Sequence, residues 1–250
     1  MLLHRSDAPL YTVYNPFICT SYRAQLSSRG CAESVFSIHN ESCNIWTHLI
    51  GVVLVFITGV YVLTIPMQHA SWDSTCVVAL YFIGGVVCMA SSALLHCYIC
   101  YSPHAASFLS RLDHACILLL LAASDLPMIY FGFTSHPLER CVYMILMVVI
   151  VAIAMKALLS EHMQCEEQRM MRLGCFIGVV VFGWVQMTHE IYIKGGIRST
   201  DGARILTNWC ISFGFYAVGV IFYATHIPER FNKHARFDIW VHSLFRHACA

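Results

Sequence analysis

Apolar residues arrive along this chain in six blocks, His48–Ile65, Cys76–Leu95, Ala115–Phe133, Val142–Leu159, Leu173–Ile193 and Leu206–Thr225. Each is close to the roughly 20 helical residues that cross a hydrocarbon core about 30 Å thick. The links between them, such as Pro66–Thr75, Thr134–Cys141 and Lys194–Arg204, are too short to be domains. The pattern predicts an all-α integral membrane protein, a bundle of six transmembrane helices over residues 47–225. A polar leader with an interfacial helix occupies 1–46, and a polar tail occupies 226–250.

Composition strengthens that reading: 58% of the 250 residues are hydrophobic and 12% charged, against about 45–50% and about 25% in soluble domains. The formal net charge of +1 gives no electrostatic basis for binding nucleic acid. The basic residues are informative through their positions. Arg5, Arg23, Arg29, Arg111, Arg169, Arg172, Arg230, Lys233, Arg236 and Arg246 fall on one side of the predicted membrane. Arg140, Lys194, Arg198 and Arg204 fall on the other, and Lys156 snorkels from a span end. The richer side is cytoplasmic by the positive-inside rule, which places both the leader and the tail inside. The leader has no apolar core with a small-residue cleavage site, so no removable signal peptide is expected. The sequon Asn40-Glu41-Ser42 then faces the cytosol, and its glycosylation would invert the topology. Most of the thirteen cysteines fall in apolar stretches, where a thiol behaves as a small hydrophobe; Cys97 and Cys100 form a lone CxxC.

Ionisable groups at membrane depth require an interior position, a partner or water. His96 closes the second apolar block, with Ser92 one helical turn before it on the same face. Asp113 opens the third block, and the tail brings His242 and His247 back to the same side. Three imidazoles and a carboxylate from distant segments thus converge, a donor set suited to Zn²⁺, with Asp113 placed to orient a ligand or a water. The blander reading is a set of interfacial histidines, with Ser92 a helix-packing residue. Asp125, before Pro127 in the third block, is an intramembrane acid and so a functional candidate, or part of a local polar pocket. His189 and Glu190 border the headgroups, and the tryptophans, Trp209 among them, read as interfacial anchors.

The run Glu33-Ser34-Val35-Phe36-Ser37-Ile38-His39-Asn40-Glu41-Ser42-Cys43-Asn44-Ile45-Trp46-Thr47-His48-Leu49-Ile50-Gly51 resembles the entry signature of the progestin and adipoQ receptor family, related to the hemolysin III proteins. Ser92-x-x-x-His96, Asp113 seventeen positions later, Ile227-Pro228-Glu229-Arg230-Phe231 and Phe237-Asp238-Ile239-Trp240 are similar to its other motifs, in the same order. Asn15-Pro16-Phe17-Ile18, Tyr22-Arg23-Ala24, Ser28-Arg29-x-Cys31, Asn40-Glu41 and Lys194-Gly195-Gly196-Ile197 resemble the branch called Raf kinase trapping to Golgi.

The resemblance implies a seven-helix bundle with a cytoplasmic N-terminus and a zinc ion near the inner face, His96 its first ligand and Asp113 the partner of the bound water. It also implies a Golgi or plasma-membrane protein whose leader retains Raf kinase and restrains the MAPK cascade. A lipid ligand in the bundle is a further implied partner. The family's last two ligands come as Ser-His-x-x-x-His at the start of a seventh helix, whereas here the tail reads as the remnant of that helix's entry. His242 and His247 are five apart, so on a regular helix they point about 140° apart, against about 40° for a four-residue spacing. One alignment puts His247 at a ligand position, and His242 reaches only if the helix starts after it or bulges. The competing class is a zinc-dependent, ceramidase-like lipid amidohydrolase, with Asp113 as base and Ser92 as donor to the oxyanion. A channel or transporter lacks its run of intramembrane charges or paired broken helices.

Overall fold

A computed structural model describes residues 2–15, 17–164 and 168–225. The leader holds strands β1 (Leu2–Leu3) and β2 (Tyr22–Arg23), paired antiparallel with Leu2 opposite Arg23, and helix α1 (Ser28–Ser34). Six long helices follow: α2 (Ser42–Thr64), α3 (Trp72–Tyr98), α4 (Pro103–Gly132), α5 (Pro137–Leu158), α6 (Arg169–Ile193) and α7 (Thr200–Thr225). Among the described residues α2 to α6 are long and apolar enough to cross a membrane, α6 over Met170–Ile193. The 26-residue α7 contains the sixth apolar block.

The helices outrun the blocks that predict them, because hydropathy registers only their apolar middles. The largest difference is in α4, which begins at Pro103 instead of Ala115. Its entry is set by Ser102, whose Oγ accepts from the Ala105 backbone N–H at 3.1 Å, and by a proline in the first turn, where its missing N–H costs nothing. Asp113 therefore lies about three turns inside a helix and does not open one. Likewise α2 starts at Ser42, so the end of the predicted leader is already helical.

The chain divides into two compact units. The first includes the leader, the start of α2 to Gly51, and Met89–Ser110. Its core is three small clusters. Ala8, Ile18 and Tyr22 pack within the leader; Cys31, Ile45, Cys97 and Cys100 join α1, α2 and the end of α3; Leu95, Ile99 and Ala106 join α3 to the start of α4. Burial, then the neighbouring Cys100, pushes the Cys31 thiol up to about 12, and the two sulfurs stand 3.7 Å apart. Thiols this far from the thiolate state pack as apolar groups.

The second unit contains Val52–Cys88 and Arg111–Ile211. Its main cluster is Leu118, Ile129, Met147, Ala154, Leu158, Val179 and Phe182 from α4, α5 and α6. Small residues set the approach of helices here. A Cβ at Gly85 would stand 2.9 Å from Val55 of α2, and one at Gly84 would stand 3.0 Å from the Cβ of Ala123 on α4. Such contacts take the place of a hydrophobic drive between helices in lipid. Ile145, Val148 and Ile153 of α5 stay exposed, as a helix surrounded by hydrocarbon requires.

The leader is the part whose polar sequence hides a packed structure. Asn15, Tyr22, Arg23, Asn40 and Glu41 are all buried.

Candidate metal centre

The site grows from the start of α2. Glu41, Asn44 and His48 recur at i, i+3 and i+7, which places them along one helical face. Asn44 Nδ2 donates to Glu41 Oε2 at 2.6 Å, and His48 Nδ1 donates to the Asn44 carbonyl at 2.6 Å. Tyr14 of the leader donates its hydroxyl to Glu41 Oε1. From α3, His96 Nδ1 meets Glu41 Oε2 at 2.8 Å. The His96 ring is 1% exposed and Glu41 2%.

An acceptor surrounded by four donors, Asn40 Nδ2 at 3.4 Å being the fourth, is a carboxylate, and charge-assisted bonds of this kind are about twice as strong as neutral ones. Its hold on Nδ1 places a proton on that nitrogen. His48 likewise bears a proton on Nδ1, donated to a carbonyl, and its ring centroid lies 5.7 Å from that of His96. A histidine whose far nitrogen is anchored by a carboxylate is the arrangement that orients metal ligands. His96 is thus oriented as a single imidazole ligand of a zinc ion would be.

Arg23 fastens the leader to the same place. Its guanidinium donates to the carbonyls of His96 at 2.6 Å and Cys97 at 2.9 Å, and to Ser34 Oγ at 2.7 Å. These carbonyls belong to the last turn of α3, where a cation also suits the helix dipole.

His39, fully buried, is fixed as neutral by its two bonds. The Glu41 N–H donates to its Nδ1 at 3.1 Å, and its Nε2–H donates to the Ser34 carbonyl at 3.1 Å. Burial, then the charge of Arg23, lowers its pKa from 6.5 to about 4. The unfolded chain binds a proton below 6.5 that the folded one refuses until about 4, so stability is full above that window and falls as pH drops through it. Melting in detergent should show a loss of about 1 kcal/mol per pH unit between 6.5 and 4. His39→Gln should flatten the slope, and an unchanged slope would assign it to other groups.

The other sequence candidates fall as follows. Ser92 is buried on α3, one turn from His96 and in the same unit. Asp113 is buried on α4 in the second unit. His242 and His247 lie outside the described residues. Among the described residues no three His, Cys, Asp or Glu side chains form a metal-holding group. Two participants were missed by the sequence reading, Glu41 and His48. Their i, i+7 spacing around Asn44 was the available signal, obscured because Glu41 sat in a leader read as solvated. Glu190, near the end of α6, is buried within the second unit.

Comparison with known proteins agrees with the architecture. Residues 36–249 match the model of the haemolysin-III related family, and the chain belongs to that family. An adiponectin receptor protein of Drosophila melanogaster is 28% identical over 97% of this chain and 55% of its own length. Progestin and adipoQ receptor-like protein 1 of Caenorhabditis elegans is 32% identical over 99% of this chain and 57% of its own. Progestin and adipoQ receptor family member 3 of Homo sapiens is 27% identical over 87% and 71%. The chain is thus a multi-pass membrane protein of the progestin and adipoQ receptor group, spanning little more than half the length of the first two relatives.

Proposed function

We propose that this protein is a receptor-type signalling component of the membrane whose inner-face histidine site holds a structural zinc ion. The observation that carries the reading is the Glu41–His96 hydrogen bond at 2.8 Å, in a pocket closed to solvent. His96 is the ligand with local support; His247, or His242, and Asp113 take the roles implied by the family resemblance. Bound there, zinc would tie the imidazoles of separate segments together. The relatives quoted above are named as receptors, which favours this class over a lipid amidohydrolase.

Metal analysis of the full chain, purified without chelators, should find one zinc per molecule, falling to background in His96→Ala. Background zinc in a monodisperse wild-type sample would remove the metal from the proposal.

The finer reading, supported by the branch resemblance, is retention of Raf kinase at Golgi membranes and restraint of the MAPK cascade. The leader residues that carry this resemblance are largely interior, so contact with a kinase would fall to exposed neighbours such as Leu10, at 90% exposure, and Phe36. Raf kinase should co-purify with the full chain and be lost with Leu10→Asp and Phe36→Ser together. Its absence from the wild-type sample would exclude the partner.

A further inference from the structure

The second unit carries a separate set of buried polar groups, remote in sequence from the histidine site. Gly183, Gln186 and Glu190 recur on α6 at i, i+3 and i+7, one face of the helix. That face meets α4. A Cβ on Gly183 would stand 3.2 Å from the Asp125 carboxylate and 3.1 Å from the ring of Trp209 on α7; one on Gly132 would stand 2.6 Å from the Glu190 carboxyl carbon. Glycine at 183 and at 132 therefore leaves room for a carboxylate on the opposite helix. Asp125 and Glu190 mark two levels of the α4–α6 seam seven residues apart, about 10 Å along the axis at 1.5 Å per residue.

These groups are buried: Asp125 is 8% exposed, Gln186 2% and Glu190 9%. Among the described residues both amide atoms of Gln186 and the Trp209 indole nitrogen are enclosed without a hydrogen-bond partner. Polar atoms left unpaired in an apolar medium are costly, and ionisable groups at membrane depth mark functional sites by default. A cavity of about 290 Å³ opens at this end of the helices, bordered by Glu190, Trp209, Asn208 and Lys194. At its rim Arg204 is occupied by Asp201 at 3.1 Å. The cavity itself presents the Glu190 carboxyl beside the Trp209 indole, with Asp125 and Gln186 deeper in the same seam, and the Trp209 ring meets that of Trp184 edge-on at 6.2 Å.

We propose that this seam binds a primary ammonium group entering through the cavity bordered by Glu190 and Lys194. Carboxylates give an ammonium charge-assisted bonds, and the face of a tryptophan attracts the same cation. Lys194 and Asn208 at the rim suit an oxygen-bearing group attached a few atoms away. The volume lies at the lower end for ligand cavities, which fits a small amine or the headgroup of an aminophospholipid. The two sources share this chemistry.

The test uses the full chain in phosphatidylcholine nanodiscs. Radiolabelled ethanolamine measures the free amine. Nanodiscs with added phosphatidylethanolamine, read by native mass spectrometry for retained lipid, measure the headgroup. Saturable binding in one arm is expected, and the arm that responds names the source. Asp125→Asn with Glu190→Gln should weaken it at least tenfold, Gly132→Ala should weaken it by displacing Glu190, and Arg29→Gln on the exposed leader should leave it intact. Wild-type chain supplies a readout that needs no variant: carbodiimide labelling of Glu190 or Asp125, followed by peptide mass, should be slowed by the ligand of the responding arm. Binding in neither arm, binding that survives the double substitution, or labelling indifferent to both ligands would overturn the proposal and leave the seam as a water-filled polar pocket. None of these outcomes depends on zinc, so the histidine site stands or falls separately.

Discussion

Replacing Arg23 with alanine should lower the stability of the folded chain by about 3 kcal/mol, since hydrogen bonds to a charged group contribute about 1.5–3 kcal/mol and the abandoned carbonyls stay buried. The side chain is 5% exposed and joins three segments through Ser34 and the carbonyls of His96 and Cys97. Lysine should not rescue it, because a single ammonium lacks the planar fork that reaches all these acceptors. Arg29→Ala is the matching control. Arg29 pairs with Glu33 at 2.7 Å on the exposed face of α1, and such i,i+4 pairs contribute about 0.3–0.5 kcal/mol. Thermal melts with size-exclusion profiles in detergent measure both. Equal loss in the two variants would show that the leader is not anchored through Arg23.

That contrast also explains where the sequence was readable. The spans were legible because twenty apolar residues in a row have few other fates, and α2 to α7 each cover all but at most one residue of a predicted block. Their ends were not, since the turns from Pro103 to Leu112 are amphipathic and register as link in a hydropathy scan. The leader misled for a related reason. Its arginines, asparagines and glutamates look solvated when counted, yet Arg23 and Glu41 are buried because each finds partners in sequence-distant segments, and such pairing leaves no local pattern. Asp125 was legible by the rule that an acid within a span needs a reason. Glu190 lies close to a span end, and the room for its carboxyl comes from Gly132 on another helix, which no local pattern reveals.

The consequence for function concentrates on Glu41. Glu41→Gln keeps size and shape but removes the charge that four donors share, and an amide can accept from His96 through only one of its two ends. Partners that orient metal-bound histidines typically change affinity by 10–100-fold when mutated. Zinc affinity, measured by competition with a chromophoric chelator on the full chain, should therefore fall by at least tenfold in Glu41→Gln. Tyr14→Phe, which removes one of the other donors to the same carboxylate, should have a smaller effect in the same direction. The His96 ring itself remains in both variants, so a drop would be due to its orientation and basicity and not to loss of a ligand. If zinc bound to wild type and Glu41→Gln left its affinity unchanged, the hydrogen bond from His96 would be a packing feature, and the ligand set would have to be sought without it.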